Sequence, residues 1–290
     1  MQGRAITIYT VMRVRGATTM KKRAATVVIV VIFVIGISIL LYPTASDYVS
    51  KLSFNSRISE YTRIVAGSDE AELEELWDKA VLYNSEHKVN RFYEPSPEEH
   101  ALYDEQLILN GSNVLGTLQI PSIDVSLPLY HGADDDVLEH GIGHIEGSSL
   151  PVGGTGTHSV LSGHRGLPSA KLLTDLDKVE VGDIFILEVL GHTLTYETDQ
   201  IAVVLPDDVS LLQTDPEADL CTLVTCTPYG VNSHRLLVRG HRTDNISIRV
   251  TPDALKIDRA VLIPAAEAPF VIILLILIFI DSRRRKQKGV

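Results

Sequence analysis

A mainly β fold is predicted for this 290-residue chain: a closed or nearly closed barrel, preceded by a helical region and flanked by two membrane-spanning helices. Three observations carry the prediction. From Val114 onward, at least seven short β-rich runs follow one another over about 130 residues, broken by Gly and Pro. Upstream of Val114 the apolar spacing is helical and comes with N-terminal capping residues. Near each end lies a long apolar stretch, the first uncharged and the second interrupted by one acid.

The first apolar stretch, 24–42, is 19 residues without a charge, and a bilayer core of about 30 Å needs roughly 20. Its apolar core exceeds the usual ~7–15 residues of a cleaved signal peptide, so a retained anchor is expected. The second, 260–280, is interrupted by Pro264 and Glu267, which would lie near the outer interface. Residues 1–23 hold six Lys or Arg and no acid, and residues 281–290 hold five against Asp281. The positive-inside rule puts both basic tails in the cytoplasm and the region between the helices outside the cell. Removing the eleven tail bases and Asp281 from the chain's 26 basic and 37 acidic residues leaves 15 and 36, a balance of −21. So acidic an ectodomain argues against nucleic acid as a partner.

Residues 43–109 form the helical N-terminal region. A weakly amphipathic helix covers 46–66, and Ser68-Asp69-Glu70 caps a second over 71–83. A polar, Pro-containing loop covers 84–97, and 97–109 reads as helical again. The barrel is expected over 110–250, with strands at 114–120, 123–130, 159–162, 183–190, 193–205, 218–226 and 233–242. Gly191-His192 reads as a tight hairpin turn, and short helices are expected at 134–140, 169–175 and 207–213. A linker, 251–259, leads to the second anchor.

The two cysteines, Cys221 and Cys226, are five apart on one predicted strand. An odd offset sends their side chains to opposite faces, and the strand holds their Cα atoms beyond the ~7 Å limit for a disulfide. At least one is therefore a free thiol in an outside compartment, and Cys226 is placed where a strand enters a Pro-Gly loop. A nucleophilic thiol needs a cationic or basic neighbour. Arg235 begins the returning strand, from where its planar fork could steady an oxyanion. For the base, spacing leaves His164 in Ser162-Gly-His-Arg-Gly166 in competition with His158 and His234.

Four ordered motifs carry a resemblance. Thr222-Leu-Val-Thr-Cys226-Thr-Pro-Tyr-Gly230 is followed by Asn232-Ser-His-Arg235-Leu-Leu-Val-Arg-Gly240. Earlier come Leu127-Pro-Leu-Tyr-His-Gly132 with Gly141-Ile-Gly-His144 and Ser149-Leu-Pro-Val-Gly-Gly154, then His158-Ser-Val-Leu-Ser-Gly-His164-Arg-Gly-Leu-Pro-Ser-Ala-Lys171. Over residues 75–242 the chain resembles the sortases, and the Thr-Pro-Tyr-Gly extension and late apolar segment resemble the pilus-assembling class C.

The resemblance implies a sortase-like closed barrel of about eight strands, with Cys226 as nucleophile, His164 as general acid/base and Arg235 as oxyanion or substrate-orienting group. It leaves His144, His234 and Arg239 without catalytic roles, and Cys221 reads as a packed strand residue. It implies cleavage of a Leu-Pro-x-Thr-Gly-like signal between Thr and Gly through a Cys thioester, and transfer to a lysine amine of a pilin. The partners implied are pilin or surface proteins bearing that signal and the lipid bilayer. Transfer to a cell-wall precursor amine is the nearest alternative, and a non-catalytic pilin-binding scaffold a more distant one. No cofactor is implied, and no cluster of metal-ligand spacing stands out. One departure stands out. Class C relatives often carry an Asp-Pro-aromatic lid, whereas the loop here reads Phe92-Tyr93-Glu94-Pro95-Ser96-Pro97. Tyr93, Glu94 and Pro95 are the residues placed to form a divergent lid.

Overall fold

The structure, a computed structural model, describes the backbone of residues 2–93 and 95–245 and the side chains from Val28 onward. The expected linker, second apolar segment and C-terminal basic tail lie outside these residues, as does Glu94.

Helix α1 spans Gln2–Gly67 without a break, so the expected anchor and the stretch 46–66 form one element. Residues up to Ala45 fall in one compact unit, and a second unit begins at Ser46. Within the first, the most apolar 18-residue window has a mean hydropathy of 2.6 and none of it is buried. By length and composition it can cross a membrane.

In the second unit the rest of α1 lies along the barrel. Phe54 and Tyr61 are buried, and the Tyr61 hydroxyl donates to the Leu115 carbonyl while accepting the Leu190 N–H. Helix α2, Glu70–Glu86, is capped by Asp69, whose carboxylate accepts the Ala71 N–H. Helix α3, Pro97–Asp104, opens with Pro97 and a full capping box between Ser96 and Glu99. It stops short of the expected residue 109. Leu107 turns into the left-handed region (φ 58°), and Leu107 and Leu109 are buried in the barrel core instead of extending the helix.

Eight strands follow: β1 Val114–Ile120, β2 Val125–His131, β3 Ile142–His144, β4 Thr157–Ser162, β5 Ile184–Val189, β6 His192–Val204, β7 Asp219–Thr227 and β8 His234–Thr243. They close in the order β1-β2-β3-β4-β7-β8-β6-β5, with β5 returning to β1. The pairs β2–β3 and β4–β7 are parallel and the others antiparallel. Strand β3 was not expected. It has three residues, and Gly143 has no room for a Cβ because the Gly132 carbonyl occupies that place. A short helix α4, Asp135–Leu138, falls inside the expected 134–140. The β5–β6 hairpin turns on Leu190 and Gly191, both at positive φ, with Val189 paired to His192; the turn lies one residue earlier than the spacing implied. No helix forms at 169–175. Leu172 takes a positive φ of 41° there, and a 3-10 turn follows at Leu176–Lys178.

Alternation along the strands builds two apolar clusters. Cys221 and Leu223 of β7, Leu236 and Val238 of β8, and Leu161 of β4 point into the barrel with Phe185, Tyr196 and Leu118. The opposite faces of the same three strands give Val160, Val224 and Leu237, joined by Leu212 and partly buried Phe92, Val204 and Leu211. This second cluster packs on the outer face of the barrel, covered by Leu212 and Phe92.

Candidate active site

Cys226 is the next-to-last residue of β7 and is half-buried, on the same face as Val224 and hence at the end of the outer cluster. Cys221, five positions earlier, is 0% exposed in the barrel core, and burial pushes its thiol well above the ordinary range. Both cysteines are free. A packed thiol held neutral is inert, whereas Cys226 is accessible.

The β7–β8 ladder sets Cys226 directly opposite Arg235. The Arg235 guanidinium donates only to backbone, to the Asn232 carbonyl at 3.4 Å and its own neighbour His234 at 3.2 Å. No carboxylate among the described residues pairs with it. Arg239, two pleat repeats further along the strand, contrasts with it, because Asp199 holds both arms of its fork at 2.9 and 3.1 Å. Arg235 thus keeps donors free for a ligand, and Arg239 does not.

On the other side of β7 lies β4, parallel and in register, with Ser162 opposite Val224. Contacts continue past the end of the ladder. The Gly163 N–H donates to the Val224 carbonyl at 3.0 Å, and the Thr225 hydroxyl donates to the Gly163 carbonyl at 2.8 Å. Arg165 then donates to the Thr227 hydroxyl at 3.0 Å. His164 is bracketed by these contacts and held level with Cys226. Gly163 admits no side chain, since a Cβ there would meet Leu173 Cδ1 at 2.7 Å. Gly166 takes φ 83°, open to glycine, and packs beneath the Tyr229 ring of the β7–β8 loop.

The rival histidines are occupied. His158 is fully buried, with Nδ1 2.8 Å from the Gln213 carbonyl and Nε2 2.7 Å from the Thr222 hydroxyl. A carbonyl only accepts, so Nδ1 carries the proton and Nε2 accepts from Thr222; burial lowers its pKa and keeps it neutral. His234 follows Ser233, whose hydroxyl lies 2.9 Å from its Nδ1, and faces Thr227 across the ladder. His144 is buried between Tyr103 and the Ser149 carbonyl, and burial pushes its pKa down to about 3.

The loop expected to form a lid approaches the outer cluster in an unexpected way. Asn90, buried, donates to the carbonyls of His158 and Leu212 and accepts the Ser149 N–H. It pins the chain so that Phe92 joins Val160, Val224 and Leu237. Tyr93 is 54% exposed and turns away, its hydroxyl donating to Glu99 at 3.2 Å, with Pro95 on the same outer loop. Phe92, Arg165 and Thr227 are the residues sequence reasoning left without a role. An aromatic beside Tyr93 in a Pro-rich loop was the one signal available for the first.

The arrangement offers a thiol and a guanidinium on adjacent strands and an imidazole in the loop that follows the third, the set needed for thiolate attack, proton transfer and oxyanion binding. A Sortase domain model matches residues 118–243. Sortase C1 from Streptococcus agalactiae is similar in structure with a TM-score of 0.63 at 48% identity, over 65% of this chain and 98% of that one. A lid mutant of sortase A from Corynebacterium diphtheriae gives 0.59 at 46% identity, over 61% and 97%. Sortase C from Streptococcus pneumoniae gives 0.60 at 43%, over 66% and 98%. Among curated relatives, sortase D of Bacillus subtilis is 33% identical over 130 residues, 44% of this chain and 63% of its own length. Sortase A of Streptococcus agalactiae is 29% identical over 117 residues, 39% of this chain and 47% of its own. The matches thus span less than two thirds of these curated relatives. Motifs, barrel topology and matches together place the chain in the sortase family of cysteine transpeptidases, with class C sortases among its structural neighbours.

Proposed function

We propose that this chain is a membrane-anchored class C sortase that joins pilin subunits. The Cys226 thiolate attacks the Thr carbonyl of a Leu-Pro-x-Thr-Gly-like signal, and Arg235 steadies the oxyanion that forms. As the C–N bond breaks, His164 gives its proton to the leaving Gly amine, and a thioester remains on Cys226. A lysine amine of the next pilin attacks that thioester, His164 takes the amine proton, and the thiolate leaves. The observation that carries this reading is the pairing of Cys226 with Arg235 on β7 and β8, with His164 two residues past the end of the parallel β4 and no carboxylate partner for Arg235 among the described residues.

The apolar cluster of Val160, Val224 and Leu237, on the face of β7 that carries Cys226, suits the Leu-Pro end of such a signal once its cover is displaced. Phe92 packs against that cluster, so the segment 88–93 acts as the lid, with Phe92 rather than Tyr93 as the covering side chain. The apolar stretch of α1 anchors the protein, and the basic residues before it favour a cytoplasmic N-terminus with the barrel outside. A cytoplasmic C-terminus after a second span completes the topology.

Intact-mass spectrometry of the full chain in detergent with a Leu-Pro-x-Thr-Gly peptide tests the chemistry. An acyl adduct is expected on the native chain and on Cys221→Ala, and none on Cys226→Ala. Equal loss in both cysteine variants would refute the assignment of the nucleophile. Offering the acyl enzyme a pilin lysine and a peptidoglycan-precursor amine together tests the acceptor. Product carrying mainly the precursor would make this a wall-anchoring sortase instead.

A further inference from the structure

We propose that Arg165 is a positioning residue, a brace between Asp177 and Thr227 that holds the His164 loop in step with the end of the Cys226 strand. The proposal rests on the reading of Cys226, His164 and Arg235 as the reacting groups.

Arg165 follows His164 in a Gly-flanked loop, where a long cation ordinarily reaches into water. Its side chain is instead only 8% exposed. A buried guanidinium is costly unless its donors are met. One arm donates to the Asp177 carboxylate at 2.6 Å and the other to the Thr227 hydroxyl at 3.0 Å, while the buried Nε–H has no partner, so these two bonds carry the whole compensation. Asp177 belongs to the 3-10 turn Leu176–Lys178, whose Leu176 is fully buried in the barrel core, so that end of the brace is fixed. The other end is the last residue of β7, directly after Cys226.

The geometry explains why a brace is needed there. The β4–β7 ladder ends at Ser162 and Val224, two residues before His164 and Cys226. Beyond it, two side-chain contacts join the strands. Thr225 to Gly163 precedes the reacting pair, and Arg165 to Thr227 follows it. The His164 carbonyl accepts the Leu173 N–H at 3.1 Å and Gly166 packs beneath Tyr229, but past the reacting pair Arg165 to Thr227 is the side-chain hydrogen bond that ties this loop to β7. A displacement of about 1 Å between reacting groups can cost roughly 100-fold in rate. The forked guanidinium can reach two partners in different directions at once, which a lysine ammonium on its single stem does less well.

The test uses the full chain in detergent, measuring kcat and KM for transfer of a sorting peptide to an amine, the alkylation rate of Cys226 by iodoacetamide, and Tm. Thr227→Val keeps the side-chain shape and the Arg165–Asp177 pair while removing only the hydroxyl. It is expected to lower kcat about tenfold with KM within about twofold and Tm essentially unchanged. Thr227→Ser, which restores the oxygen, should return kcat to near the native value. Arg165→Met should lose about 30- to 100-fold, and Arg165→Lys should recover only part. Native kcat in folded Thr227→Val and Arg165→Met would overturn the brace, as would a loss in Thr227→Val that Thr227→Ser leaves uncorrected. If Arg165→Met fails to fold, the Thr227 pair decides. If the native chain forms no thioester with the peptide, the reaction reading fails separately. The brace then stands only if Thr227→Val changes the alkylation rate of Cys226 and Thr227→Ser restores it.

Discussion

The carboxylate of Asp47, on helix α1, accepts the backbone N–H of Lys171 at 2.7 Å, across 124 residues of sequence. Three positions further along α1, the Ser50 hydroxyl donates to the Ser169 carbonyl at 2.9 Å. The helix thereby grips the stretch that follows His164 and Arg165, where the chain turns without forming a helix of its own. Asp47→Ala and Ser50→Ala should each cost about 1 kcal/mol of local stability, the usual net worth of such a bond. Hydrogen exchange at 168–173 should quicken, and transfer to amine should slow a few-fold. Unchanged exchange in the double variant would show that the grip holds nothing in place.

Arg235→Lys should lower kcat by about 100-fold while leaving Tm within a degree or two, because a lysine keeps the charge and loses the fork. The loss is expected in kcat rather than KM, as befits an interaction made with the developing oxyanion. Steady-state transfer kinetics with one peptide measure both. Near-native turnover would remove Arg235 from the oxyanion role. Arg239→Lys, which disturbs a pair already closed by Asp199, should instead act on stability and spare kcat.

Phe92→Ala should speed thioester formation by roughly tenfold, since about 1–2 kcal/mol of apolar contact would no longer hold the segment on the outer cluster. Tyr93→Ala should have little effect, because its ring is mostly exposed and its hydroxyl bonds to Glu99 away from that cluster. Burst kinetics of acylation distinguish the two. Equal rates in native protein and Phe92→Ala would mean that the segment leaves the site open.

Acid should destabilise the barrel through His144. Its folded pKa, pushed down to about 3 by burial, lies below the unfolded value near 6.5. Above pH 6.5 both states are neutral there. As pH falls, the unfolded chain takes up a proton that folded His144 refuses, so stability present above pH 6.5 is lost on the way to about pH 3. His158 and His131, also lowered by burial, act in the same direction. Each contributes at most about 1.4 kcal/mol per pH unit. Urea unfolding at pH 7, 6 and 5 should give a falling free energy, and a flat series would mean that these imidazoles accept protons in place.

Much of this architecture was legible in the sequence, for reasons that differ from element to element. Strand β1 matched its expected bounds because Val114–Ile120 is apolar and ends against Pro121. The cap at Asp69 was readable from local chemistry alone. Strand β3 was not, because three residues flanked by glycine carry no periodicity and pair only through partners brought from elsewhere. The stretch at 169–175 looked helical and is not, because Asp47 and Ser50 of a distant helix hold its backbone. Spacing named Cys226 and Arg235 as neighbours, since a short loop joins antiparallel strands. It could not choose among the histidines, because the parallel β4–β7 register is a long-range fact.

That parallel register has a consequence for how such a site can change. Cys226 and Arg235 are partners on neighbouring strands, so their lateral spacing is the ~4.8 Å interval of a β-sheet, while the parallel β4 delivers the chain to His164 two residues past its end. The thiol-to-guanidinium dimension is a lattice constant of the barrel, and the imidazole alone is carried by a loop. Other loops around the site can lengthen, shorten or exchange side chains, and so alter which signal or amine is admitted, without rescaling the distance between nucleophile and oxyanion donor.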